Sequence, residues 1–200
     1  MTRLARRILL ACAAFSLTAC SILQPQPDLS RFFVLTPMTG SSLPPPAKAL
    51  RLGLGPIDFP PYLQRSQLVT RSGPNEIELS ENYYWGEPLD LNFTRVLAQN
   101  LTSLLATEQI LFFPWYGGAQ LNYAIQVSVT QFQVDTNGEA RLVARWKIVD
   151  AVGDKVRRSE ESDLTETAAD SSPDAAVAAL SRLVEKLSRE IAAAIEELKG

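Results

Sequence analysis

Between Leu121 and Ile148 the chain alternates apolar and polar residues along two long runs joined by Asn137-Gly138, and this pattern constrains the fold most. Leu121, Tyr123, Ile125, Val127 and Val129 share one face of the first run. Ala140, Leu142, Ala144, Trp146 and Ile148 alternate on the return. Period-two alternation marks a strand with one face against a core, and Asn-Gly supplies the backbone geometry of a tight hairpin turn. The apolar phase slips to Phe132 and Val134, so a β-bulge is expected near Thr130.

Two amphipathic helices are expected to cover that apolar face. One starts at Pro88, suited to a first helical turn where its missing N–H is harmless. Leu89, Phe93, Val96/Leu97, Asn100/Leu101 and Leu104/Leu105 then recur at three- and four-residue steps. The other starts at Ser172-Pro173, a cap followed by proline, with Val177, Leu180, Leu183/Val184, Leu187, Ile191, Ile195 and Leu198 as its stripe. Its mixed-charge outer face reads as solvated rather than membrane-bound. Further strands are expected at Arg31–Thr36, at Leu50–Leu54, at Gln67–Arg71 paired with Glu76–Ser80, and at Ile110–Phe113 as a brief buried strand. Lys155–Thr165 reads as a charged edge strand. The fold class is therefore α+β: a single domain with a mainly antiparallel sheet and two amphipathic helices packed on it.

The N-terminus has a separate organisation. Arg3, Arg6 and Arg7 precede an apolar run, Ile8 to Phe15, and then Leu17-Thr18-Ala19-Cys20. The run is shorter than the ~20 residues of a membrane-spanning helix, and the whole resembles a bacterial lipoprotein signal. The expected division is a signal peptide over 1–19, a lipidated N-terminus and tether over 20–30, and a folded domain over 31–200. Cys20 would carry a diacylglycerol and acyl anchor, with no other cofactor. Ser21 in the following position favours sorting to the outer membrane, on its periplasmic side. Removal of residues 1–19 leaves 16 basic against 22 acidic residues, a net charge of −6, and leaves Cys20 as the one cysteine.

Composition excludes much chemistry. The 200 residues contain no histidine, so no Ser-His-Asp triad or Cys-His pair can form. No Walker-type phosphate loop and no Gly-x-Ser-x-Gly elbow occurs. A metal site would have to be oxygen-only, as for Ca²⁺, and none is assigned. The acidic balance argues against nucleic acid as a partner. Glu81, Glu87 and Asp90 beside Tyr83, Tyr84 and Trp85 superficially resemble a glycosidase site. Carboxylates at a helix start and core aromatics explain them better. Trp115-Tyr116-Gly117-Gly118 reads as core packing or as a loop touching headgroups or a partner.

Two stretches carry a family resemblance. Leu54 to Arg71 includes Gly55, Pro56, Pro60, Tyr62, Leu63, Arg65, Gln67 and Arg71; Tyr84 to Leu101 includes Trp85, Glu87, Pro88 and Leu89. Together they resemble the PqiC/YmbA family of ABC-type transport auxiliary lipoproteins. The resemblance implies an outer-membrane lipoprotein that serves as a non-enzymatic adaptor or receptor for an MCE-domain protein in inter-membrane phospholipid transport. Tyr62, Leu63, Arg65, Gln67 and Arg71 are the candidate partner-binding residues, with core closure by Tyr62 and Leu63 the competing reading. A lipid carrier with its own apolar cavity is the alternative function, phospholipid then being a ligand, and a homo-oligomeric ring is a further possibility.

Overall fold

The computed structural model describes residues 27–40, 50–115, 120–150 and 155–199. The long hairpin forms as its alternation requires: β6 (Tyr123–Asp135) pairs antiparallel with β7 (Glu139–Asp150), and the register shifts between Val129 and Gln131, at the expected bulge. Gly138 adopts a φ of 82°, which the turn demands and a glycine supplies without steric penalty. β8 (Val156–Thr167) pairs with β7 alone and forms one edge of the sheet.

The remaining strands are shorter: β1 (Arg31–Phe33), β2 (Leu52–Asp58), β3 (Gln67–Gly73), β4 (Glu76–Trp85) and β5 (Ile110–Phe112). They overturn the expectation of a mainly antiparallel sheet, because the eight-stranded sheet is mixed. β1 pairs with β4, β2 with β5 and β6, and β3 with β6, all in parallel. Antiparallel pairing is confined to β3/β4, β6/β7 and β7/β8. The cause is the length of β6. At ~3.3 Å per residue its 13 residues span ~43 Å, enough for two short strands end to end on one edge. β2 takes the stretch Tyr123–Ser128 and β3 takes Val134–Asp135.

Helices α1 (Leu89–Leu105) and α2 (Pro173–Lys199) pack together on one face of this sheet. Ser172 Oγ accepts the Ala175 N–H at 3.1 Å, the side-chain cap expected at the start of α2. Pro88 stands one residue before α1 rather than inside it, its carbonyl accepting the Asn92 N–H. Ala106 ends α1 in the left-handed region at φ 51°. The core joins Leu52, Leu54, Ile125, Phe132, Leu142 and Trp146 of the sheet to Phe93, Leu97, Leu101, Leu183, Leu187 and Ile191 of the helices.

Polar contacts fasten the layers. The backbone N–H groups of Thr36 and Met38 donate to Ser181 Oγ and Asn100 Oδ1, so the chain after β1 crosses the helix pair as a strap. Glu166 of β8 accepts from both Arg182 and Lys186 of α2, which hold its carboxyl below the ordinary carboxylate range. On the sheet's other face Arg141–Asp163 and Arg145–Glu161 link β7 to β8. Among the described residues no helix is long and apolar enough to cross a membrane.

Candidate partner-binding groove

β2 reaches the site through Gly55, whose φ is 116° and whose backbone lies so close to Phe113 that an added Cβ would stand 2.7 Å from the Phe113 Cβ. Only glycine fits both constraints. Beyond Pro56 the strand ends at Asp58, and Phe59 turns into the core. Its ring meets Phe93 of α1 and Phe132 of β6 edge-on at 5.2 and 6.3 Å, and Phe93 meets Phe132 at 5.4 Å.

A tight turn follows. The Leu63 N–H donates to the Pro60 carbonyl, and Gln64 Nε2 donates to the Phe59 carbonyl at 2.7 Å. Leu63 is buried, so that residue closes the core rather than meeting a partner. Tyr62 is half-buried, its hydroxyl donating toward the Thr130 carbonyl and Gln133 Oε1. Burial raises its ionisation above that of an ordinary tyrosine, against the opposing pull of Arg71. Arg71 is also half-buried, spending an N–H on the Pro74 carbonyl at 2.8 Å. Arg65 alone of the five candidates is exposed, while Gln67 is half-buried on β3.

The second motif stretch comes back to the same place. The Trp85 N–H donates to the Ser66 carbonyl at 2.6 Å, which ties the end of β4 to the turn before β3. Trp85 and Leu89 are buried, whereas Pro88 is exposed and Glu87 is half-buried. Between the two stretches lies an open groove of about 410 Å³, walled by Gln64, Arg65 and Ser66 on one side and by Trp85 to Asp90 on the other. Glu87 is engaged by Arg95 at 2.6 Å, so its carboxylate is already paired. Arg65 and Asp90 give the groove one basic and one acidic wall.

Other expected sites fare differently. Cys20 and Ser21 lie outside the described residues, as do Tyr116, Gly117 and Gly118. Trp115 stacks edge-on to Phe113 and packs over Gly53. The strand expected to be buried at Ile110–Phe113 is instead an edge, with Phe112 52% and Phe113 53% exposed. An apolar run does not reveal whether another strand covers it. Glu81 stands apart from the groove that Glu87 and Asp90 line. Among the described residues no three acidic side chains converge as a metal site requires. Gln64 and Ser66 were missed as groove residues; their signal is that they flank Arg65 just after the proline turn.

These features define a class: a single α+β domain whose motif residues build an open groove of mixed charge. Two solved structures share the fold. One is an uncharacterized protein, with TM-score 0.68 and 19% identity over 83% of this chain and 98% of its own. The other is protein XCC0632 from Xanthomonas campestris, with TM-score 0.69 and 12% identity over 82% and 93% of the two chains. Comparison with curated protein sequences finds no match. The family of ABC-type transport auxiliary lipoprotein components matches residues 33–192, and the chain belongs to it.

Proposed function

We propose that this protein is an outer-membrane lipoprotein, anchored through acylated Cys20, that acts as a non-enzymatic periplasmic adaptor for an MCE-domain protein of an ABC-type phospholipid transport system. Membership of a transport auxiliary family supports the general role. The observation that carries the specific reading is the groove itself. The two motif stretches, separated in the chain by residues 72–83, meet there and expose Arg65 and Pro88, with half-buried Asp90 beside them, around a tight turn. A pre-formed concave surface rimmed by an arginine and a proline suits a protein partner.

Crosslinking in cells from positions 62, 65 and 71 tests this. Position 65, on the groove, should capture an MCE-domain protein strongly; positions 62 and 71 should do so weakly, their side chains being half-buried. Arg65→Glu should abolish capture while leaving the fold intact. Correct localisation without capture from any of the three positions would refute the groove as the contact surface. The carrier alternative has less support, because the hollow of about 510 Å³ beside Leu68, Tyr83 and Ala176 is open to solvent and the enclosed space is small. The void bounded by Leu63, Leu89, Phe132 and Leu180 holds about 30 Å³, the room of roughly one water rather than an acyl chain. Native mass spectrometry finding stoichiometric bound phospholipid in detergent-free protein would nevertheless favour the carrier.

A further inference from the structure

From the edge of the sheet nearest the N-terminus, we infer a second membrane contact: Phe32, Val34 and Tyr84 form an apolar ledge that lies in the headgroup–acyl boundary of the bilayer holding the anchor. The inference rests on the proposed acylation of Cys20.

Phe32 is 69% and Val34 48% exposed, and the two sit side by side rather than scattered. They are two residues apart, as side chains on one face of an extended segment are. Their intervening neighbour Phe33 is buried. Phe32 stacks on Tyr84 of the adjoining strand with ring centroids 5.7 Å apart. Gly86 completes the surface: a Cβ there would stand 3.2 Å from Val34 Cγ1, so the lack of a side chain lets Val34 sit close.

Two polar groups beside the ledge are already engaged, which lowers the penalty of removing them from water. The Tyr84 hydroxyl donates to the Glu81 carbonyl at 2.6 Å. Arg31 pairs with Asp174 at 2.7 Å, and its guanidinium sits over the Phe33 and Tyr83 rings. The rim therefore bears no net charge from this pair, and attraction to anionic lipid is not needed. Aromatic side chains with one satisfied polar tip favour the membrane interface.

Chain length selects the bilayer as occupant. From Cys20 to Phe32 the backbone spans at most about 43 Å when fully extended. Two prolines, Pro25 and Pro27, lie within that tether. The ledge is thus held near the membrane by covalent connection. Another exposed apolar rim, at Phe112 and Phe113, lies at β5, reached through β2 on a different stretch of β6 from the one that leads through β3 and β4 to β1. It has no such tether.

The test uses the mature acylated protein, reconstituted in phosphatidylcholine vesicles. Val34→Cys and, separately, Phe112→Cys receive an environment-sensitive thiol label; with Cys20 acylated, the introduced cysteine is the sole free thiol. At position 34 the emission should move to shorter wavelength and be largely quenched by nitroxide lipids. At position 112 it should stay water-like. Adding Phe32→Asp should return the label at 34 to water. An acylated protein with the label at 34 unquenched overturns the ledge while the anchor stands. Equal quenching at 34 and 112 also overturns it, since the contact would then not be specific to this face. Shielding that grows with protein density, without nitroxide quenching, assigns the face to a second copy and overturns the proposal. A mass without acyl chains refutes both the anchor and the ledge.

Discussion

Replacing Phe93 with alanine should remove the support on which the groove is built. Phe93 has no exposed surface and is the one ring of the aromatic trio that belongs to α1, facing Phe59 at 5.2 Å and Phe132 at 5.4 Å. Burying a phenylalanine side chain contributes about 1.5–3 kcal/mol. Each edge-on aromatic pair adds roughly 0.5–1.5 kcal/mol. Two pairs and one burial thus give about 2.5–6 kcal/mol, a range that brackets the ~3–5 kcal/mol typical of Phe→Ala in a core. A loss near 4 kcal/mol is a large part of a domain's usual ~5–15 kcal/mol. It would lower Tm by about 10 °C for a chain of this size.

The assay is urea unfolding of the mature chain, followed in parallel by far-UV circular dichroism and tryptophan fluorescence. The midpoint should fall with the slope unchanged, because the change affects stability and not the surface exposed on unfolding. A double-mutant cycle with Phe59→Ala should return a coupling of about 0.5–1.5 kcal/mol. Phe112→Ala is the control; its ring is half exposed on an edge strand, and its loss should stay within about 0.5 kcal/mol. A Phe93→Ala variant that loses less than about 1.5 kcal/mol, or no more than Phe112→Ala, would refute the claim that the trio holds the turn in place.

Other expectations follow from single positions. Gly55→Ala should destabilise by at least about 2 kcal/mol in urea midpoints, since it combines an unfavourable φ with a 2.7 Å approach to Phe113; wild-type stability would show that the approach is not restrictive. Ala106→Gly should stabilise by roughly 0.5–1 kcal/mol, because glycine takes the left-handed turn after α1 without the penalty of a side chain; a lower melting temperature would contradict this. Glu166→Gln should cost about 1 kcal/mol at neutral pH, discounted for its partly exposed partners. Because Arg182 and Lys186 lower the folded-state ionisation of Glu166, its contribution is fully present above the unfolded value near 4.5 and fades as pH falls through the lowered folded value. Wild-type and Glu166→Gln unfolding midpoints should therefore converge in acid, and a gap constant from pH 7 to 3 would assign the effect to packing.

Local features of this fold could be read directly from residue order. The bulge after Val129, the Asn137-Gly138 turn, the Ser172 cap and both apolar helix stripes are each decided within a few residues, and each formed as read. The hairpin pairings of β3 with β4 and of β6 with β7 were legible from their turns, but pairing between strands separated by other elements was not, because it is decided at a distance. β2 and β3, with seven residues each, contain no mark of direction; both lie parallel to β6 because that strand is long enough to offer each a separate stretch of edge. The exposure of Phe32 and Phe112 was hidden for the same reason. A strand's own residues do not say whether a neighbour will cover them, and β1 and β5 both end at open edges.

The motif shows why packing and contact were difficult to separate in advance. Its residues alternate between the two tasks along one short stretch of backbone. Gly55, Leu63, Trp85 and Leu89 serve close approach or the core, while Arg65 and Pro88 face the groove. The buried members hold the exposed ones: Phe59 and Leu63 clamp both ends of the turn that carries Gln64 to Ser66, and the bond from Trp85 to the Ser66 carbonyl joins its two walls. A substitution at Leu63 or Trp85 would thus weaken partner capture through stability, with midpoint and capture falling together. A substitution at Arg65 should reduce capture at constant midpoint. Only the second pattern identifies a residue that touches the partner, and it separates the two roles that the sequence interleaves.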